Sequence, residues 1–538
     1  MRDLFHFLRR LTGEPDRTTA YRAERQAVAA ALAVPKVDPR FERRMHELGH
    51  GAAVQIGSSC AVADLPVRIA LSDIAGHGHA LVLGGNGTGK TRVVAGIVRE
   101  LLLRRAAGLR APGLWLADHK SEFVPLAREL FAGVLDALPS RVANDLIDQL
   151  VVVNPFSPEA LVPLNVLCAE PGVKPEEQAH DVTSLVDRLG GAELGVRQDS
   201  FTSHLVLLGV SRPGMSLVDL ARLVNDPAAL VSAAADSPSP EVRSYFTGGA
   251  KLAQGSLDGV RARLHRLLRL PATRLMLGAK QTVSFRELLA KKIVFVDTGS
   301  PPLGCEDIGR FWSSLCTLRL SRAIFARRHE DQERGVVVFV DEWQEGLAGG
   351  GWIADSYERI LSMARSRGVS LWLISQSLAG AAKVSSALPK MVATNTNLQL
   401  LFRSSIEDAR TMTHLLPVTG RRRRTPASPW ESPAKSPFLT PGDELHALVA
   451  EAAALPDRVF YLWNRREPFR AELVRAADVT VEPTAFRSSA LATRLMHGAL
   501  ARPITELEAE GALGAAGPFR PAQVGLEVVQ PRPRRRIR

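Results

Sequence analysis

The segment "LVLGGNGTGKTRVV", residues 81–94, decides the fold class. It matches the phosphate-binding pattern Gly-x4-Gly-Lys-Thr and lies between an apolar run and a helical run. Glycines let the backbone wrap phosphates, Lys90 reaches the β- and γ-phosphates, and Thr91 offers a hydroxyl to Mg²⁺ at the positive end of a helix. The sequence therefore predicts a site for ATP and Mg²⁺, in which Lys90 also acts in catalysis. The predicted cradle consists of Gly84, Gly85, Asn86, Gly87, Thr88, Gly89, Lys90 and Thr91.

Near-continuous apolar runs, interrupted by helical stretches, recur along the chain after this segment. Such runs indicate strands buried on both faces, as in a parallel sheet flanked by helices. The sequence therefore predicts an α/β fold, a RecA-like P-loop ATPase core with a mostly parallel sheet. The predicted core strands are residues 80–84, 114–118, 149–154, 292–298, 336–342, 371–375 and 398–403.

The strand runs stop between Cys168 and Lys291, where amphipathic helical patterns replace them. This change predicts an all-α insert within the α/β core. The predicted organisation is an N-terminal helical extension (1–62), the first part of the core with the phosphate loop (63–168), the all-α insert (169–290), the second part of the core (291–480), and a C-terminal extension with a basic tail (481–538).

A second motif, "GVVVFVDEW", places an acidic pair at the end of a predicted strand. Asp341 can hold Mg²⁺ through water, and Glu342 can polarise the attacking water. A protein that only binds nucleotide does not need the second carboxylate. Glu342 therefore favours hydrolysis, with Asp341 and Thr91 as the predicted metal-binding residues.

The 538-residue chain carries a formal net charge of +12. A basic balance favours an acidic partner such as nucleic acid or an anionic membrane surface, although a GC-rich genome that substitutes Arg for Lys gives the same balance. Four scattered cysteines argue against a disulfide framework or a cysteine-rich zinc site. No apolar run approaches the ~18 residues that a membrane span needs.

Four segments resemble the conjugative coupling ATPases, the TraG/TraD family, within the HerA/FtsK group of ring-forming motors. The similarity extends from about residue 65 to residue 475. Two departures are Ser121, where the family usually has Gly, and the order Pro-Leu-Asn in the second segment. The segments are "LWLADHKSEF" (114–123), "VVNPFSPEALVPLNVL" (152–167), "ILSMARSRGVSLWLISQS" (360–377) and "LPDRVFYLWNRREPFR" (455–470).

The resemblance implies roles at matching positions. Gln376 would sense the γ-phosphate, and Arg365 would reach into a neighbouring subunit's site as an arginine finger, with Arg367 and Arg403 as runners-up. The alternative for Arg365 is a solvated cation favoured by the helix dipole.

The resemblance also implies a DNA-translocating motor that forms a homo-oligomer, expected to be a hexamer. The rival is an ATPase that docks protein or nucleoprotein cargo for secretion. The family's membrane spans are missing from this sequence, so we expect a cytoplasmic protein, membrane-associated only through a partner. Candidate partners are a relaxase, a nuclease or a secretion channel, and the sequence does not choose among conjugation, defence, packaging and DNA processing.

A zinc signature offers an alternative from another class. His46, Glu47 and His50 have the HExxH spacing of metalloproteases. Ala53 and Ile56 occupy the positions where extended zincins have Gly and a third His, and Gly49 weakens the helix that must align the two ligands. We therefore favour an ordinary helix-to-loop junction over a zinc site.

The remaining features are a basic loop, a basic tail and an apolar helix face. Flexible arginines contact phosphates without reading sequence, so Arg421–Arg424 and the arginines of 532–538 are candidate DNA contacts, with a solvated loop and tail as the alternative. Near the N-terminus, one helical face carries Leu4, Phe5, Leu8 and Leu11, and we favour packing of this face on the protein over a membrane-surface helix.

Overall fold

The computed structural model describes most of the chain after residue 37. The described residues are 38–76, 78–170, 172–189, 195–248, 254–328, 335–347, 351–413, 440–467, 471–479 and 489–509. The predicted N-terminal helix face, the Arg421–Arg424 loop and the basic tail lie outside these ranges.

An 11-stranded sheet in the order β2-β1-β12-β11-β10-β3-β9-β8-β4-β7-β5 organises the protein. The strands from β10 to β5 in this order pair in parallel, whereas β11, β12, β1 and β2 add an antiparallel extension. The bounds are β1 Ala53–Ser59, β2 Pro66–Ala70, β3 His79–Leu83, β4 Gly113–Asp118, β5 Leu150–Val153, β6 Ala160–Leu161, β7 Ile293–Asp297, β8 Val336–Asp341, β9 Val369–Ser375, β10 Thr396–Phe402, β11 Val459–Asn464, β12 Glu472–Ala476 and β13 Arg502–Pro503, the last pairing with β6.

The predicted core strands coincide with β3, β4, β5, β7, β8, β9 and β10 to within two residues at each end. Every residue of β3, β4, β7, β8 and β9 is buried, as expected for strands covered on both faces. The predicted α/β fold with a mostly parallel sheet flanked by helices is therefore confirmed.

Helices cover both faces of the sheet and fill the segment between β6 and β7. Within the described part of that segment every element is a helix. The helices are Pro39–Gly49, Leu71–Ile74, Lys90–Ala106, Phe123–Asp136, Ser140–Ile147, Pro175–Asp187, Val196–Ser211, Leu217–Asn225, Pro227–Ala235, Pro240–Thr247, Gln254–Leu268, Pro271–Gly278, Phe285–Lys291, Glu306–Phe325, Trp343–Gly346, Gly351–Met363, Ala379–Val384, Leu388–Asn395, Ile406–Thr413, Pro441–Ala453, Ser489–His497 and Ile504–Leu507, with a 3₁₀ turn at Ala364–Arg367.

The prediction that residues 1–62 are helix and loop is wrong for residues 53–59, which form β1. This strand pairs with β2 and with β12, whose residues lie more than 400 positions further along the chain. Val54 and Ile56 are buried between more polar neighbours, but Gly57 and two serines weaken the local strand signal. Pairing with a distant strand decides the conformation here.

No helix within the described ranges is long and apolar enough to cross a membrane.

Candidate nucleotide site

The phosphate loop joins β3 to the helix Lys90–Ala106, as the sequence predicted. Gly87 and Gly89 have φ values of 72° and 99°, a conformation that residues with a Cβ rarely adopt. Gly84 is required for a different reason, because an added Cβ would lie 2.5 Å from the Cβ of Phe402. The glycine spacing therefore reflects both backbone conformation and close packing on β10.

Backbone hydrogen bonds fasten the loop to three neighbouring segments. The Gly84 amide donates to the Ser375 carbonyl at 3.2 Å, and the Gly85 amide donates to the Arg403 carbonyl at 2.7 Å. The Arg458 amide donates to the Thr88 carbonyl at 2.9 Å, with Arg458 itself in the left-handed region at φ 65°. The cradle is thus held in shape by β9, β10 and the start of β11 before any phosphate arrives.

Lys90 is turned onto the loop that carries it. Its Nζ donates to the carbonyls of Gly84 and Gly85 at 2.6 and 2.8 Å. Burial lowers the pKa of Lys90, although the negative charges of Glu342 and Asp341 oppose that effect. An ammonium held only by neutral carbonyls in a buried place is well suited to exchange them for a phosphate oxygen. Asn86 is exposed and Thr91 is half-buried at the first turn of the helix.

Three buried aspartates end three adjacent parallel strands. Asp118 of β4 is in register with Asp297 of β7 on one side and with Asp341 of β8 on the other. Asp118 accepts the backbone amides of Lys120, Phe123 and Val124 at 2.8–2.9 Å, which gives it a structural task. Asp297 accepts the hydroxyl of Ser121, the residue that departs from the family pattern.

Asp341 differs from the other two aspartates in having few donors. Its carboxylate accepts the Glu342 backbone amide at 3.1 Å. Burial, followed by the negative charges of Asp118 and Glu342, raises the pKa of Asp341 to about 7, and Lys90 opposes this rise. A carboxylate with negative neighbours and few hydrogen-bond donors is the ligand type that Mg²⁺ prefers. Asp341 and the Thr91 hydroxyl therefore fit the predicted metal.

Glu342 is buried, and its backbone lies in the left-handed region at φ 47°. Its Oε1 accepts from Gln376 Nε2 and pairs with Lys120 Nζ at 3.1 Å, while its Oε2 accepts from Gln344 Nε2. Ser375 Oγ donates to Gln344 Oε1 at 2.8 Å. The structure thus places Gln376 directly against Glu342, at the edge of the sheet where the phosphate loop lies.

Arg365 lies at the opposite edge of the sheet. It is an exposed residue of the 3₁₀ turn that precedes β9, whereas Gln376 follows β9. The strand has seven residues, so the two ends are roughly 20 Å apart. Arg365 cannot reach the nucleotide site of its own chain across this distance.

The two runner-up arginines are engaged within the chain. Arg367 Nη1 donates to the Arg327 carbonyl at 3.2 Å. Arg403 pairs with Asp457 at 2.6 Å. Arg365 is exposed, whereas the other two predicted finger residues are half-buried.

The zinc signature does not assemble a site in the part of the chain that the structure covers. His46 and Glu47 are exposed on the helix Pro39–Gly49, and His50 follows its last residue. No group of three or more His, Cys, Asp or Glu side chains able to hold a metal occurs among the described residues. The segment is the helix-to-loop junction that the sequence offered as the alternative.

Sequence reasoning missed several contacts at this site. The sequence assigns no role to Lys120, Gln344 belongs to no recognised motif, and Arg458 lies some 370 residues from the loop that it supports. The signal for Lys120 was its position two residues after a strand-ending aspartate. No local signal existed for Arg458, because its contact depends on the antiparallel pairing of β11.

No known protein-family profile matches the chain, and no curated protein matches it. Among solved structures it resembles the bacterial conjugative coupling protein TrwB in its sulphate-bound trigonal form, with a TM-score of 0.50, 15% identity, and coverage of 86% of this chain and 99% of that one. TrwB in complex with ADP and Mg²⁺ has a TM-score of 0.49 and 15% identity, with coverage of 85% of this chain and 98% of that one. VirB4 of Thermoanaerobacter pseudethanolicus has a TM-score of 0.48 and 12% identity, with coverage of 80% of this chain and 97% of that one. The likeness to the sulphate-bound form shows that the chain has the RecA-like P-loop ATPase fold of the conjugative coupling proteins that its sequence resembles.

Proposed function

We propose that this protein hydrolyses ATP with Mg²⁺ and uses the reaction as a motor in macromolecular transfer. The observation that carries the proposal is the meeting of Lys90, Asp341, Glu342 and Gln376 at one edge of the sheet. A site that only bound nucleotide would have no use for a buried carboxylate beside the metal-binding position.

Each residue has a defined task in the reaction. Lys90 binds the β- and γ-phosphates, and Glu342 polarises a water whose oxygen attacks the γ-phosphorus. The bond to the β,γ-bridging oxygen breaks, the proton leaves the water towards Glu342, and Gln376 responds to the γ-phosphate. Thr91 and Asp341 would hold Mg²⁺, which would neutralise charge on the phosphate oxygens.

The motor acts on DNA as an assembled ring, which we propose to be a hexamer. Its basic balance of +12 supports an anionic track. Arg365, exposed and distant from the site of its own chain, supports completion of each site by a neighbouring subunit. A relaxase, a nuclease or a secretion channel would supply the partner that defines the pathway.

Hydrolysis is tested with two variants and a matched control. Lys90→Ala should lose nucleotide binding or turnover, because the phosphate contact is removed. Glu342→Gln should keep ATP bound and stall phosphate release. Glu345→Gln changes an exposed carboxylate three residues away and should leave turnover unchanged. Normal turnover by Glu342→Gln would refute the assignment of the water-polarising residue.

The DNA partner is tested separately. Addition of DNA should stimulate ATP hydrolysis, and DNA affinity should fall steeply as salt rises, because counterions are released from the phosphates. Deletion of residues 531–538 should flatten this dependence. Hydrolysis that ignores DNA would instead support the rival, an ATPase that docks protein cargo for secretion.

A further inference from the structure

The carboxylate of Glu342 is almost fully engaged in this structure. Lys120 and Gln376 contact Oε1, and Gln344 contacts Oε2. An ionised carboxylate has about four acceptor positions, so most are filled. The ammonium of Lys120 also neutralises the charge that would draw a proton from water. Glu342 is therefore in a resting arrangement and not one prepared to activate water.

Lys120 combines a fixed backbone with a movable side chain. Its amide donates to Asp118 Oδ1 at 2.9 Å. A Cβ added at Gly299 would collide with the amide nitrogens of Lys120 and Ser121, so the chain is closely packed there. The side chain, by contrast, is 34% exposed, whereas that of Glu342 is only 7% exposed. The ammonium can change partner without movement of the segment that carries it.

The charge of Lys120 also acts on the phosphate loop. It contributes to the lowered pKa of Lys90, after the larger effect of burial. The two lysines thus approach one region from different strands, Lys90 after β3 and Lys120 after β4. In this structure the Lys90 ammonium donates to backbone carbonyls, and the Lys120 ammonium pairs with the Glu342 carboxylate.

We propose that Lys120 is a positioning residue that holds Glu342 at rest and moves to the γ-phosphate when ATP binds, which frees the carboxylate to orient water. A γ-phosphate carries more negative charge than one carboxylate, so it outcompetes Glu342 for a flexible ammonium. ADP lacks that group, and Lys120 stays on Glu342. The inference rests on the proposed hydrolysis and adds a reason why the site distinguishes ATP from ADP.

The experiment measures binding of ADP and of a non-hydrolysable ATP analogue, together with kcat, for Lys120→Ala, Lys120→Arg and the exposed control Lys390→Ala. Lys120→Ala should bind ADP as the wild type does but bind the analogue about tenfold more weakly, since a charged hydrogen bond is lost. Its kcat should fall, Lys120→Arg should recover part of both losses, and Lys390→Ala should change neither.

Unchanged ADP binding shows that Lys120→Ala has folded and has kept its phosphate loop. Equal loss of ADP and analogue binding would overturn the exchange of partners, as would an unchanged analogue affinity. A rise in kcat would also overturn it, because Lys120 would then only restrain Glu342. An absence of hydrolysis by the wild-type protein would instead refute the proposed function, so the two failures are distinguishable.

Discussion

Subunit mixing gives the sharpest test of how the two ends of β9 cooperate. Arg365→Ala removes the exposed arginine at one end, and Lys90→Ala disables the phosphate loop near the other. If Arg365 acts as a finger in a neighbouring site, each variant alone should lose most of its turnover, since such a finger is worth ~10³–10⁵ in rate. Each variant lacks the residue that the other still carries, so mixed rings can contain complete sites.

The expected recovery follows from the geometry of the fold. Arg365 is roughly 20 Å from the site of its own chain, so an active site needs an intact Lys90 in one subunit and an intact Arg365 in the next. When equal amounts of the two variants assemble at random into closed rings, about one quarter of the sites combine an intact Lys90 with an intact Arg365 from the neighbouring subunit. We expect phosphate release near that fraction of the wild-type rate.

Phosphate release is measured at constant total subunit concentration, with ring assembly checked by mass measurement. Arg367→Ala serves as the matched control, because its guanidinium already donates to the Arg327 carbonyl and should not be needed for turnover. Assembled mixed rings without recovered hydrolysis would refute the finger, and Arg365 would then be a solvated cation beside the helix end.

Three further predictions concern the framework of the site. Burial lowers the pKa of His79 to about 4, so the folded protein keeps this imidazole neutral where the unfolded chain would protonate it. The free energy of unfolding should therefore fall by ~3 kcal/mol as the pH drops from 6.5 towards 4. Thermal melts of His79→Asn should show a smaller fall over the same pH range. Gly84→Ala should weaken nucleotide binding measured by fluorescence titration, because the new methyl group meets Phe402; equal binding would contradict this packing. Arg319→Met should cost ~3–5 kcal/mol in denaturant unfolding by leaving the buried Glu170 unpaired, and adding Glu170→Gln should recover part of the cost.

Local patterns were sufficient for the phosphate loop and for the core strands. Glycine spacing, an apolar run and a following helix are contained within about fifteen residues of one another, so their physics does not depend on the rest of the chain. Asp341 and Glu342 could be named for the same reason, since a strand end brings an acidic pair to the edge of a parallel sheet. The catalytic and metal-binding roles themselves stay predictions until the variants are measured.

The tertiary structure decided the partners of these residues. Strand register aligned Asp118, Asp297 and Asp341, and it brought Lys120 and Gln376 onto one oxygen of Glu342. Pairing with β12 also makes residues 53–59 a strand, although their local preference for strand conformation is weak.

The sequence by itself determined that a nucleotide-binding α/β core exists and where its phosphate loop and acidic pair lie, because backbone conformation and apolar periodicity are properties of neighbouring residues. Only the tertiary structure decided that Lys120 pairs with Glu342 and that Arg365 lies at the far end of β9 from the phosphate loop of its own chain. The physical reason is that the first relation joins residues hundreds of positions apart in the chain. The second depends on an extended strand that holds residues eleven positions apart at its two ends. No short segment of sequence contains enough information to predict either one.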